Sequence, residues 1–139
     1  MPNQNPIYVN QPEQSTDFTI PAQYATVPLT VSLEIVLNVS GWIYRSDNQV
    51  FLNANDLYPG GTPEPQNLLL GAGNSLNGKR LLINTSISRI YPPGGATGTV
   101  PPVKFILHIK AGQDTLAAFE KDSGNENPSD FNALLLFNI

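Results

Sequence analysis

Residues 29–40 read "LTVSLEIVLNVS". Leu29, Val31, Leu33, Ile35, Leu37 and Val39 alternate with Thr30, Ser32, Glu34, Val36, Asn38 and Ser40, a period of two held over twelve residues. A helix would bring apolar residues back every three to four positions. This stretch instead turns one apolar row to a core and the other side largely to water, which predicts a long strand of an antiparallel, half-exposed sheet.

The same period recurs outward from that strand. In "VKFILHIK" (103–110) Val103, Phe105, Leu107 and Ile109 point one way and Lys104, His108 and Lys110 the other, with Ile106 interrupting the polar side. "KRLLINTSISRI" (79–90) sets Leu81, Ile83 and Ile87 on one face, and "FNALLLFNI" (131–139) alternates Phe131, Ala133, Leu135, Phe137 and Ile139. Shorter extended pieces are expected at Asp17–Ile20, ahead of Pro21, around Val50–Asn53 after a turn at 46–49, and at "LLLGAG" (68–73). "TLAAFEKD" (115–122) reads as a strand or a short helix, since Ala117 and Ala118 lean towards helix.

About seven to nine strands with Gly- and Pro-rich connections, and no amphipathic helix, predict an all-β chain. An antiparallel β-sandwich of jelly-roll or other Greek-key type is the first expectation, and a small closed β-barrel the alternative. The domain is expected over residues 16–139, preceded by a polar, Pro-containing flexible arm over residues 1–15. The connection "YPPGGATGTVPP" (91–102) is expected to join two strands as an oversized hairpin loop. Its length, where two residues would suffice, suggests a contact surface for a partner chain.

Composition narrows the function classes. With no cysteine, disulfides, thiolate nucleophiles and Cys-ligated metals are excluded. A net charge of −4 argues against nucleic acid, which needs a concentrated basic surface. Only 13% of residues are charged against 15 Asn, 13 Pro and 11 Gly, so amides and turns make the surface polar. No basic start is followed by an apolar run, and no apolar stretch is long enough to span a bilayer as a helix. A soluble chain without a classical signal peptide is expected, and its compartment stays open.

Candidate chemistry is sparse. His108 is the only histidine, and with no Gly-x-Ser-x-Gly turn it reads as a solvated strand residue. Lys79, Arg80 and Arg89 with Lys104, His108 and Lys110 would gather most of the basic groups on one hairpin, a pattern that edge protection also produces. "EKDSGNENPSD" (120–130) offers Asp122, Asn125, Glu126 and Asp130 as oxygen ligands for Ca²⁺, although a polar turn needs no metal. "SDNQVFLNAND" (46–56) offers Asp47, Asn53, Asn55 and Asp56, flanked by Trp42, Tyr44 and Tyr58. Aromatic rings beside amides and carboxylates suit a sugar, whose apolar face stacks while its hydroxyls are held.

The expected function is therefore a non-enzymatic β-sandwich module acting through protein–protein assembly, as a homo-oligomer or with another protein, through the 91–102 loop and the N-terminal arm. A lectin-like carbohydrate-binding module, with or without calcium, is the alternative. A carboxylate-based hydrolase is the weaker third, because Glu34 is the only acid set in a clear strand and it has no identifiable partner.

Overall fold

The computed structural model describes residues 16–37, 41–58, 64–90, 100–122 and 129–139. The arm at 1–15, residues 91–99 of the long connection, and Asn125 and Glu126 lie outside them. The strands are β1 (Thr16–Thr19), β2 (Pro28–Val36), β3 (Ile43–Leu52), β4 (Asn55–Tyr58), β5 (Leu68–Ala72), β6 (Arg80–Ile90), β7 (Lys104–Ala111), β8 (Asp114–Asp122) and β9 (Ser129–Asn138). They form two sheets, ordered β1-β9-β6-β3-β4 and β5-β2-β7-β8. The chain is an all-β sandwich and not a closed barrel, since each sheet keeps two edges.

All pairings are antiparallel except β1 with β9, where Phe18 lies beside Phe137. The period-two rows meet between the sheets. Leu29, Val31 and Leu33 of β2, Phe105, Leu107 and Ile109 of β7, Leu81, Ile83 and Ile87 of β6, and Phe131, Leu135 and Phe137 of β9 are all buried. Fully burying each such side chain contributes about 1.5–3 kcal/mol. Aromatic contacts clamp the layers together: Phe105 stacks on Phe131 with centroids 4.0 Å apart, and Phe18 meets Phe119 edge-on at 6.3 Å.

Two expectations are corrected and one open choice is decided. The oversized hairpin does not exist, because β6 and β7 lie in different sheets and residues 91–102 connect one layer to the other. A period of two marks a buried face but does not say which strand lies alongside. The real hairpins are β3–β4 and β7–β8. Secondly, the turn at 46–49 is the middle of β3, whose inward positions there are Ser46 and Asn48 rather than apolar residues. Thirdly, 115–122 is strand, as its pairing with β7 outweighs the weak helical preference of two alanines.

The supposed basic hairpin dissolves with the hairpin itself. Arg89 shares the inward parity of Ile83 and Ile87 and is buried, donating to Pro101 O at 2.7 Å and to Ser129 Oγ at 2.6 Å. Burial pulls its guanidinium below the ordinary arginine pKa. His108 is a half-buried strand residue on the outer face of β7, with Nε2 3.2 Å from Glu34 Oε1.

Glycine is required where two backbones cross beside β5. A Cβ on Gly73 would stand 2.3 Å from Tyr24 O, while Gly73 N–H donates to Val27 O at 3.1 Å.

Candidate functional site

Strand register determines what the outer face of the five-stranded sheet presents. Across β3, β6 and β9, Asp47 stands opposite Ser86 and Ser86 opposite Asp130. In the next outward row Gln49 stands opposite Asn84, and Asn84 opposite Asn132. These six side chains line a shallow depression of about 220 Å³. All are short or amide-bearing, and none is basic.

The rows on either side are apolar or mixed. Phe51, Leu82 and Leu134 continue the face past Gln49, Asn84 and Asn132, and all three are half-buried. Towards the other end come Arg45 with Ser88, then Ile43 with Ile90. The polar rows are thus a band crossing the three central strands, bordered along the strand direction by apolar side chains on one side and by Arg45 with Ser88 on the other. Hydroxyls and amides there both donate and accept, and the carboxylates accept.

The interior beneath this band is polar as well. Ser46 Oγ donates to Glu64 Oε2 at 2.6 Å, and the Tyr44 hydroxyl donates to Glu64 Oε1 at 2.8 Å. Asn48 Nδ2 donates to Ser46 Oγ at 2.9 Å, and Thr85 Oγ1 donates to Asn48 Oδ1 at 3.0 Å. The chain of bonds satisfies side chains that would be costly to bury alone. Burial first, then the hydrogen bond and negative charge of Glu64, push the Tyr44 hydroxyl up to about 12. Glu64 belongs to the segment that leaves the five-stranded sheet for β5. That segment is fixed on β2 by Leu33 N–H to Pro65 O (2.9 Å), Gln66 Nε2 to Leu33 O (3.0 Å) and Asn67 N–H to Ser32 Oγ (2.8 Å).

The residues singled out in the sequence are therefore dispersed. Asp47 and Asp130 come together in one row of the outer band. Asn53, Asn55 and Asp56 lie in the β3–β4 hairpin, towards the opposite end of β3 from Ile43. There Asn53, at φ 51°, accepts from Arg80 N–H at 2.9 Å, and Asp56 accepts from Tyr58 N–H at 3.2 Å. Tyr44 and Tyr58 pack against the core, and Trp42 is half-buried just ahead of β3. Asp122 ends β8 in the other sheet. Among the described residues, no group of three or more His, Asp or Glu could hold a metal ion.

Gln49, Asn84, Ser86, Asn132 and Phe51 were missed in the sequence. Their shared outward parity was the available signal, but it becomes a site only once β3, β6 and β9 are known to be neighbours. A second depression of about 540 Å³ lies by Tyr24 and the β7–β8 turn, where the Tyr24 hydroxyl already occupies the Asp114 carboxylate at 3.1 Å.

The chain is a two-sheet β-sandwich carrying a polar band across one outer face. No protein-family model, curated protein or solved structure matches it. Among the described residues, no helix is long and apolar enough to cross a membrane.

Proposed function

We propose that the protein is a non-enzymatic binding module whose ligand is a carbohydrate, held on the outer face of β3, β6 and β9. One observation carries this reading: six short polar side chains in register, Asp47, Ser86, Asp130, Gln49, Asn84 and Asn132, line one depression. Closely set amides, hydroxyls and carboxylates match the closely set hydroxyls of a sugar. The neighbouring Phe51, Leu82 and Leu134 offer apolar surface to a sugar's C–H face. Binding suits the site better than hydrolysis. Asp47 and Asp130 are both exposed to water on an open, shallow face that would not close water out around a reacting bond.

Affinity electrophoresis through gels containing soluble polysaccharides tests the reading. At least one polysaccharide is expected to retard the protein, and Asn84→Ala with Asn132→Ala to abolish the retardation without lowering the melting temperature. Unchanged mobility with every polysaccharide overturns it.

Assembly through protein contacts is the second reading, and it has its own support. Ile43 and Ile90 are directly opposed on the same outer face and are 60% and 41% exposed, where the 91–102 connection leaves β6. A cross-strand apolar pair open to water suits a second copy of the chain. Light scattering is expected to give a mass above that of the monomer, reduced by Ile43→Ser with Ile90→Ser. A monomer at all concentrations overturns this reading.

A further inference from the structure

We infer that the carbohydrate is a chain of amino sugars lying across the strands, its ammonium groups seated on Asp47 and Asp130; this rests on the carbohydrate reading above.

Direction comes from the borders of the band. Along the strands the two rows end at Phe51, Leu82 and Leu134 on one side and at Arg45 with Ser88 on the other, where a cationic chain would meet like charge. Across the strands they run unbroken through β3, β6 and β9. A depression of about 220 Å³ is too small to enclose a ligand, but it suits an extended chain laid over it.

Charge comes from the row Asp47–Ser86–Asp130. The two rows that line the depression hold two carboxylates and no cation. The nearest basic residue on the face is Arg45, one row beyond Asp47 on β3, and Arg80 lies three rows from Ser86 along β6. An acidic glycan would meet like charge here, whereas an ammonium group would meet a carboxylate at each end of the row.

Spacing decides between isolated and repeated cations. Asp47 and Asp130 are separated by β6 alone, so their backbones stand two strand spacings apart, about 9–10 Å. In a β-1,4-linked pyranose chain each unit is turned over relative to the last, so a given substituent returns to the same side at every second unit, over a similar length. Amino groups of alternate units then reach Asp47 and Asp130, while the intervening unit lies over Ser86 and Asn84. Gln49, Asn84 and Asn132 receive the hydroxyls of the other edge.

The test compares a β-1,4-linked glucosamine hexamer, its fully N-acetylated counterpart and a β-1,4-glucan hexamer by titration calorimetry on the full chain. Asp47→Asn, Asp130→Asn and Asn84→Ala variants, checked for unchanged melting temperature, complete it. The glucosamine hexamer is expected to bind tightest. Each Asp→Asn change is expected to weaken it about two- to fivefold, as for exposed ion pairs, with added salt acting in the same sense. Each change is expected to weaken the uncharged glucan less than it weakens the glucosamine hexamer, since only the latter loses an ion pair. Equal binding of all three hexamers, lost in Asn84→Ala, overturns the charge inference and leaves the carbohydrate reading standing. Tight glucosamine binding that both Asp→Asn variants retain overturns it too, because overall acidity would then be the cause. Absence of binding by any hexamer overturns it, and the polysaccharide gels separately decide the parent reading.

Discussion

Ser46 and Glu64, eighteen residues apart in the chain, are joined by a 2.6 Å hydrogen bond beneath the polar band. The bond ties the middle of β3 to the segment that carries the chain to the second sheet, and the Tyr44 hydroxyl reinforces it at 2.8 Å. Replacing Glu64 by Ala leaves two partly buried hydroxyls without their acceptor. A loss of about 1–3 kcal/mol is expected in urea unfolding, and Glu64→Gln, which keeps one acceptor oxygen, is expected to lose less.

Tyr44 gives the fold an alkaline limit. Its hydroxyl is raised from 10.0 to about 12 in the folded state, by burial first and then by Glu64. The contribution is complete below pH 10, where the tyrosine is neutral in both states. Above that the unfolded chain ionises first, and stability is lost as pH rises through about 12. Stability measured from pH 9 to 12 is expected to fall less steeply in Tyr44→Phe than in the parent protein. Parallel curves would show that the hydroxyl is not the group responsible.

Phe105 and Phe131 hold the sheets together by a stacked contact at 4.0 Å. Truncating either to Ala is expected to cost about 3–5 kcal/mol, a large share of the stability of a domain this size. Because the two rings touch, the double variant is expected to cost less than the sum, a coupling that a double-mutant cycle measures.

Gly73→Ala is expected to destabilise the protein by about 1–3 kcal/mol, since the new methyl group meets Tyr24 backbone oxygen at 2.3 Å and only a backbone shift can relieve it. Thermal denaturation checks this, with the exposed turn change Gly112→Asn, at φ 61° and with open space for its Cβ, as a milder comparison.

The edge strand β8 carries its own protection. It is nine residues long, is bulged against β7 between Ile109 and Lys110, and ends in the exposed charges of Glu120, Lys121 and Asp122. Glu120→Val with Lys121→Val is expected to raise the light-scattering mass at high concentration, and an unchanged mass would place the protection in the bulge alone.

What the sequence disclosed follows from which side chains line the core. β2, β7 and β9 were legible because leucine, isoleucine, valine and phenylalanine occupy their inward positions. β3 was half-hidden because Ser46 and Asn48 occupy two of its inward positions, and a polar interior looks like a turn until its hydrogen-bond partners at Glu64 and Thr85 are known. Arg89 misled in the same way, by being charged and buried. Asp47 and Asp130 were legible as chemistry but not as a pair. They lie 83 positions apart in the chain, and only the order β9-β6-β3 brings them into one row.

That order also governs how the molecule comes into being. β9 occupies the slot between β1 and β6, and among the described residues β1 has no other strand beside it. During synthesis β1 waits for β9, with Phe18 deprived of Phe137 until residues 129–138 have emerged. Half-made chains therefore carry an open seam, flanked by the unpaired side of β6, into which any passing strand could insert. Closure of the sheet waits for residues 129–138, and chaperone binding to nascent chains stalled before residue 129 would report the open seam.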